Sequence, residues 1–394
     1  MKRRSLIAAF AASALVLAAC GGDDDTADDI ADVADSVADE AEDVADSVAD
    51  EAEDVADSVV DEAEDLTDES DDMTEESEEM SDDMSDEMTV PEGWPESIVF
   101  TLTPSQETGG LIETAQPLAD LLSAELGIGV EALVPTDYAG VIVALQSGQA
   151  QVAGGLGPAQ MVQAADVAGA DLVLQAVRFG NNQYVTQWFT NNPDEFCAPD
   201  TLVEITDEED GTISTYCNGV DAAEGPTDGP IGTDFIPNIA GKTVSFVDQG
   251  STSGYLIPSL GLLEAGVDPL DDIESLFAGG HDSSVQAVYD GDAEVGVSFN
   301  DARGGLFETV PDVGQKVVVW GWSAPIPNDG FAVAGDVPDD LREAITQAFI
   351  DIAATEDGAA LLDELYEIDG LVPVPEGSYD IIRDLETELA DLLG

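Results

Sequence analysis

Basic residues are what this chain lacks most: 9 lysines and arginines stand against 86 aspartates and glutamates, a formal net charge of −77 over 394 residues. Such a charge repels nucleic-acid phosphates and anionic membrane surfaces, which excludes nucleic acid as a partner. Self-repulsion of this strength is tolerated mainly where salt screens it, so the composition indicates an acidic surface of the kind suited to high salt.

Histidine and cysteine are also scarce, with one His and three Cys in the whole chain. A structural metal site usually needs four such ligands, and two of the cysteines are more easily explained as a disulfide. The sequence therefore predicts no metal site, and no cofactor is expected.

Long apolar runs are absent apart from residues 5–19, which follow Lys2, Arg3 and Arg4 and end directly before Cys20. This run is shorter than the ~20 residues that a spanning helix needs, and its small-residue end is typical of a lipoprotein signal peptide. We expect residues 1–20 to direct export, with Cys20 as the lipidation site. The predicted location is the outer face of the cytoplasmic membrane, with membrane lipid contacted through Cys20.

An exported chain meets an oxidising compartment, which favours disulfides over free thiols. Cys197 and Cys217 are therefore predicted to pair. By the chain-entropy estimate, a bridge across a loop of this size stabilises the fold by about 3 kcal/mol.

An acidic repeat with a period of eleven residues begins at Val33, Val44 and Val55, reading VADSVADEAED twice and then VADSVVDEAED. An eleven-residue period places one apolar stripe on a helix, but the other faces carry like charges that destabilise it. Residues 21–90 are thus interpreted as an acidic low-complexity spacer, disordered or partly helical. A right-handed coiled-coil partner helix is the alternative interpretation.

Strands and helices alternate through the remaining ~300 residues, a length typical of two lobes. This alternation predicts an α/β fold with parallel sheet, in which ligands bind beyond the carboxyl ends of strands. Three helices are predicted near the C-terminus, at 338–354, 357–367 and 377–393.

Two polar turns in this region have the composition of an anion site. Ser251, Thr252 and Ser253 follow a strand and open a helix, where free main-chain N–H groups and the positive helix end attract anions. His281 follows Gly279 and Gly280 and also precedes a helical run. The simpler interpretations are an ordinary Ser/Thr helix cap and an incidental histidine.

Several short motifs, in this order and spacing, resemble the substrate-binding proteins of phosphonate, phosphite and phosphate ABC importers. The resemblance covers residues 95–190 and 238–390. It is carried by the segments Tyr138-Ala139-Gly140, Leu145-Gln146-Ser147-Gly148-Gln149, Leu156-Gly157-Pro158, Asp248-Gln249-Gly250-Ser251-Thr252-Ser253-Gly254-Tyr255 and His281-Asp282-Ser283-Ser284-Val285 with Gly291-Asp292. The resemblance implies a two-lobed type II periplasmic-binding fold with a ligand cleft at the hinge.

The resemblance also implies which residues bind the ligand. The phosphonyl oxygens of the ligand are expected to be bound by Tyr138, Ser251, Thr252, Ser253 and His281, with Tyr184 as a further hydrogen-bond donor. Asp301 and Asp329 lie where aminophosphonate-binding members place carboxylates against an ammonium group. This points to 2-aminoethylphosphonate, with phosphite or phosphate as the alternative ligand.

The expected organisation is a first lobe at 91–186, a second lobe at 187–318 with an insertion at about 191–236, and a return to the first lobe at 319–394. The implied role is capture of a small phosphorus oxyanion by a monomer that delivers it to an ABC permease and its ATPase. A surface interaction protein and a hydrolase are more distant alternatives. The hydrolase is disfavoured because Gly250-Ser251-Thr252-Ser253-Gly254 is not a nucleophile-elbow motif, and no enzyme activity is expected.

Overall fold

The computed structural model describes residues 90–106, 108–208 and 210–393. The predicted signal peptide, Cys20 and the predicted spacer up to residue 89 lie outside this part of the chain. Among the described helices, none has both the length and the apolar character needed to cross a membrane.

Fifteen strands and ten α-helices make up the described chain, together with short 3₁₀ turns and a π-helical turn at Thr252–Leu256. The strands are β1 (Ser97–Leu102), β2 (Gly129–Leu133), β3 (Val152–Leu156), β4 (Asp171–Val177), β5 (Gln183–Tyr184), β6 (Thr186–Thr190), β7 (Val203–Thr206), β8 (Ile213–Tyr216), β9 (Thr243–Phe246), β10 (Glu274–Phe277), β11 (Val295–Phe299), β12 (Val318–Trp322), β13 (Ile326–Pro327), β14 (Gly330–Val333) and β15 (Gly370–Pro373). The helices are α1 (Thr108–Leu126), α2 (Tyr138–Gln146), α3 (Pro158–Asp166), α4 (Pro193–Phe196), α5 (Ile257–Glu264), α6 (His281–Asp290), α7 (Val313–Lys316), α8 (Asp339–Ala353), α9 (Glu356–Tyr366) and α10 (Asp380–Leu393).

These elements form two lobes, each around its own sheet. The first sheet has the strand order β15-β4-β14-β3-β1-β2, and the second has the order β10-β9-β11-β6-β12-β8-β7. The expectation of parallel sheet holds only in part, since β14 runs antiparallel to β3 and β4, and β6 runs antiparallel to β11 and β12. Strands β6 and β14 are each the first strand of a lobe's sheet after the chain crosses from the other lobe, and each lies antiparallel between two strands of its sheet.

Helix α8 illustrates how the sequence pattern produces these elements. Its buried residues Leu341, Ile345, Phe349 and Ile352 recur every three or four positions, which places them on one face. Two aspartates occupy its first turn, where negative charge is favourable. The three predicted C-terminal helices are thus present as α8, α9 and α10, with ends within a few residues of those expected.

Each lobe has a separate aromatic core. In the first, the Phe331 ring lies with its centroid 4.8 Å from that of Phe349. In the second, the Trp320 ring lies 5.6 Å from Trp188 and 5.2 Å from Phe196. Burial of such large rings dominates core energetics, so each lobe is stabilised largely by its own packing.

Two short strands connect the lobes. Strand β5 pairs antiparallel with β13, through Tyr184 opposite Ile326 and Gln183 opposite Pro327. Because β12 still belongs to the second sheet, the chain crosses back after Trp322 and not at residue 319, the boundary expected from the sequence. Helix α10 packs against both α3 of the first lobe and α5 of the second.

The predicted insertion contributes β7 and β8 to the outer edge of the second sheet. A disulfide joins Cys197 to Cys217, with 5.7 Å between the two Cα atoms. The predicted pairing is therefore confirmed. The bridge ties the segment before β7 to the end of β8 and so pins this polar extension to the sheet.

Candidate functional site

A small cavity lies between the lobes, at the hinge, with a volume of about 80 Å³. Its wall includes seven of the eight predicted ligand-binding residues: Tyr138, Tyr184, Ser251, Thr252, Ser253, His281 and Asp329. The remaining wall residues that bear on its chemistry are Thr103, Ser105, Gly155, Arg178, Asn300 and Tyr366. Asp301 is not part of the wall.

The turn at residues 251–253 opens the helix that begins with the π-helical turn and continues as α5. Ser251 caps it, its hydroxyl accepting a hydrogen bond from the Gly254 N–H at 3.1 Å. The first N–H groups of a helix have no intrahelical acceptor, so those of Thr252 and Ser253 are donors available to a ligand. The turn thus combines the cap interpretation with the anion-site interpretation, since Ser251 serves the helix while its neighbours face the cavity.

Thr252 also joins the two lobes. Its hydroxyl oxygen accepts a hydrogen bond from the Ala159 N–H at the start of α3, at 2.8 Å. On the other side of the cavity, the main-chain N–H of His281 donates a hydrogen bond to the carbonyl oxygen of Ser105 at 2.9 Å. These bonds connect opposite lobes across the cleft, so the structure is in a closed form.

The ring of His281 is buried and oriented by the second lobe. Its Nδ1 lies 2.8 Å from the Ser298 hydroxyl and accepts from the Phe299 N–H at 3.4 Å. With Nδ1 as acceptor, the network assigns the ring proton to Nε2, which makes this nitrogen a donor. Burial, assisted by the positive charge of Arg178, lowers the pKa of His281 to about 3. The histidine is therefore a neutral hydrogen-bond donor at physiological pH.

This buried neutral histidine gives a specific acid sensitivity. Below its ordinary pKa of 6.5 the unfolded chain takes up a proton at His281, whereas the folded protein does so only near the pKa of about 3. Stability falls where the unfolded state binds more protons, so the contribution is intact above pH 6.5 and is lost as pH drops toward 3. We expect urea unfolding of wild type and His281→Gln to diverge in this window, with wild type losing more stability. Parallel pH profiles would contradict the assignment, since the acidic background is common to both proteins.

Two tyrosines complete the set of neutral donors. Burial, reinforced by the nearby charge of Asp248, raises the pKa of Tyr138 well above its usual value. Burial also raises the pKa of Tyr184, although a hydrogen bond with Ser253 acts in the opposite direction. Both phenols keep their protons at any physiological pH and can donate them to an acceptor.

Arg178 is a wall residue that the sequence analysis did not single out. It forms a two-pronged ion pair with Asp329, with Nη2 2.9 Å from Oδ2 and a second short contact between Nη1 and Oδ1. Its Nε donates to the carbonyl oxygen of Tyr366. Arg178 follows the end of β4 and is one of the few basic residues in the described chain. The scarcity of basic residues could have identified it as a candidate site residue.

Asp301 lies in a different environment from the one expected. Its carboxylate bonds the buried guanidinium of Arg303, with Nη2 2.6 Å from Oδ2, and accepts from the Tyr216 hydroxyl at 3.3 Å. Because its charge is already compensated and it does not reach the cavity, a role against a ligand ammonium group is not supported. The neighbouring Asn300 does line the cavity, and its side-chain oxygen holds the Val185 N–H at 3.0 Å.

Close packing of the wall depends on Gly155, which has a φ of +64°. A Cβ at this position would come 2.4 Å from the ring of Tyr366, so no larger residue fits. The Tyr366 hydroxyl donates to the carbonyl oxygen of Thr103 at 2.8 Å, which fixes the ring under the cavity.

The site contains donors rather than metal ligands. Within the part of the chain that the structure describes, no three His, Cys, Asp or Glu side chains are grouped so that they could hold a metal ion. What the arrangement can do is surround a small oxyanion with N–H and O–H groups from both lobes.

Comparison with known proteins identifies the family. Periplasmic substrate-binding proteins of phosphonate ABC transporters match the chain over residues 100–379. The chain belongs to this family. Its proteins bind small ligands for transport and work with an ABC permease. The predicted resemblance is confirmed.

Individual relatives agree with this assignment. The phosphate-import protein PhnD of Mycolicibacterium smegmatis is 29% identical over 315 residues, covering 75% of this chain and 87% of that protein. A binding protein component of a Pseudomonas aeruginosa ABC phosphonate transporter superposes with a TM-score of 0.60 at 20% identity, covering 74% of this chain and 85% of the other. PhnD1 of Prochlorococcus marinus, solved with methylphosphonate, gives 0.60 at 14% identity, covering 75% and 98%. The structural likenesses confirm the two-lobed type II fold.

Proposed function

We propose that this protein captures a compact phosphorus oxyanion, namely phosphate, phosphite or a small alkylphosphonate, and delivers it to an ABC permease. The observation that carries the proposal is the convergence of donors from both lobes on one closed cavity. Ser253, Thr252 and His281 come from the second lobe, Tyr138 from the first and Tyr184 from the hinge. Such an arrangement binds an oxyanion by contact hydrogen bonds, which act despite the negative charge of the whole protein because that charge is screened.

The size of the cavity and the charges around it favour a compact ligand over 2-aminoethylphosphonate. The cavity volume of about 80 Å³ is well below the roughly 300–1,000 Å³ of most small-molecule pockets. Both carboxylates expected to bind the ammonium group are engaged by arginines, Asp329 by Arg178 and Asp301 by Arg303. An ammonium group placed against either carboxylate would also lie close to a guanidinium, whose positive charge repels it.

The proposal includes attachment to the membrane through a lipid on Cys20 and action as a monomer. The position of Cys20 directly after a short apolar run with a small-residue end supports the attachment. The acidic segment before residue 90 would then act as a spacer between the lipid and the binding lobes.

A thermal-shift panel tests the proposed ligand class. A ligand that binds only the folded protein stabilises it by about 2.7 kcal/mol at a hundredfold excess over Kd. Such binding raises the melting temperature. We expect phosphate, phosphite and methylphosphonate to raise it and 2-aminoethylphosphonate to have a weaker effect. Flat curves with every phosphorus compound would contradict the proposal. A shift with 2-aminoethylphosphonate alone would restore the aminophosphonate hypothesis.

A further inference from the structure

A second, larger groove lies between the lobes and is not part of the ligand site. It has a volume of about 500 Å³ and shares no wall residue with the hinge cavity. One wall is α10 of the first lobe, the other is α5 with neighbouring segments of the second lobe, and the crossing segment 323–326 lies between them. The side chains that line the groove are mainly apolar, among them Trp188, Ile257, Leu260, Trp322, Ile381 and Leu385.

The paired strands β5 and β13 of the hinge separate this groove from the cavity. Tyr184 of β5 lines the cavity, whereas its partner Ile326 of β13 lines the groove. Further along the same crossing, Asp329 again lines the cavity. The hinge therefore has the cavity on one side and the groove on the other. A rotation of the lobes about the hinge that widens the cavity must narrow the groove.

The walls of the groove expose apolar surface in the closed form. Ile381 on α10 is 58% exposed, and Ile257 and Leu260 on α5 are partly exposed. Helices α5 and α10 are already in contact at one place, so a small rotation is enough to bring more of their apolar side chains together. Removing this surface from water is favourable. Opening of the cleft would thus bury apolar surface that the closed form leaves exposed.

Two opposing effects then act on the position of the lobes. The hydrogen bonds from Ala159 to Thr252 and from His281 to Ser105 favour the closed form, whereas burial of the groove favours the open form. A ligand bound by donors from both lobes shifts the population toward the closed form. The observed Kd equals the intrinsic Kd divided by the fraction of closed protein. Whatever stabilises the open form therefore weakens the observed affinity.

We infer that this groove closes when the ligand cleft opens, stabilises the ligand-free open form by apolar burial, and thereby sets the observed affinity from outside the cavity. The inference rests on the proposed function, because it concerns the conformational equilibrium that ligand capture uses. It has an unusual consequence for mutations in the groove. A change that hinders closing of the groove should tighten ligand binding, although the residue never touches the ligand.

Two substitutions of Ile381 test this consequence by calorimetric titration of the full chain with phosphate, with methylphosphonate as a second probe. Ile381→Trp places a bulky ring between the walls. Ile381→Asp places a charge that the narrowed groove would bury beside a wall that already carries Glu264 and Glu388. Each variant should lower the Kd about tenfold, because each depletes the open form. The closed form accommodates either side chain, since position 381 is mostly exposed.

Ile112→Trp is the matched control. Ile112 lies on α1 of the first lobe, is 55% exposed and does not line the groove. This variant should bind phosphate with the wild-type Kd. General damage to the first lobe would raise the Kd, so a lower Kd in the Ile381 variants alone points to the groove.

Tryptophan fluorescence of wild type gives an independent measurement. All four tryptophans lie in the described part of the chain, and Trp188 and Trp322 line the groove while none lines the cavity. Phosphate closes the cleft and so opens the groove to water. Quenching of the fluorescence by acrylamide should therefore increase when phosphate is added, and Trp322→Phe should lose most of this increase because Trp322 is the more exposed of the two.

The outcomes separate this inference from the proposed function. An unchanged or higher Kd in a folded Ile381 variant overturns the role of the groove alone. Quenching in wild type that stays constant or falls on addition of a ligand that binds does the same. Absence of binding with both phosphorus compounds overturns the proposed function, and the inference with it.

Discussion

Replacing Ser253 with alanine is expected to weaken binding of phosphate by about tenfold to a hundredfold. Its side chain is buried on the cavity wall and interacts with Tyr184, so the substitution removes a donor to the anion and frees its partner. Hydrogen bonds to charged groups contribute about 1.5–3 kcal/mol, and 1.4 kcal/mol corresponds to a factor of ten in Kd. Calorimetric titration with phosphate measures the change.

Ser259 provides a matched control for this substitution. It lies in α5, on the same helical segment, is fully buried, and its hydroxyl has no hydrogen-bond partner within the described residues. Ser259→Ala should bind phosphate as wild type does. Equal losses in both variants would indicate a general effect on the second lobe and would remove the support for Ser253 as a ligand donor.

Replacing Arg303 with methionine is expected to lower the free energy of unfolding by about 3–5 kcal/mol, the usual effect of removing one partner of a buried ion pair. The Arg303 side chain is 1% exposed. Its Nη1 donates to the carbonyl oxygens of Thr215, Gly314 and Val317 at 3.1, 3.3 and 2.8 Å, and its guanidinium lies 4.7 Å from the Tyr216 ring centroid. Methionine would leave Asp301 and these carbonyls without their donor. Urea unfolding followed by circular dichroism measures the loss.

Arg383→Met is the control for loss of an arginine ion pair at the surface. Arg383 contacts Asp166 and Asp380, but its side chain is 38% exposed. Surface ion pairs of this kind contribute about 0–1 kcal/mol. Similar destabilisation by both substitutions would mean that burial of Arg303 adds nothing, contrary to the structural argument.

Much of the site was predictable because it is built from local features. The turn at residues 251–253 and the approach to His281 each combine a strand end, small residues and a helix start within a few positions. Free N–H groups at a helix N-terminus follow from helix geometry alone, so their chemistry can be read from such a segment. The disulfide was predictable for a related reason, since only two cysteines follow Cys20.

The roles of the two aspartates were not predictable in the same way. A carboxylate's behaviour depends on the charges within a few ångströms, and such neighbours come from anywhere in the chain. Asp329 meets Arg178 across 151 positions of sequence. Asp301 and Arg303 are only two residues apart, but whether that pair faces the cavity or the interior of the second lobe depends on how β8 and the segment before β12 pack around it.

By itself, the sequence determined the alternation of strands and helices, the resemblance to the family and most of the residues that line the cavity, because each of these depends on contiguous residues or on their order. Only the tertiary structure decided where the chain crosses between lobes, how small the closed cavity is, and which arginine neutralises which carboxylate. These depend on contacts between residues far apart in the chain, and a Coulomb interaction is set by distance in space, not by separation in sequence.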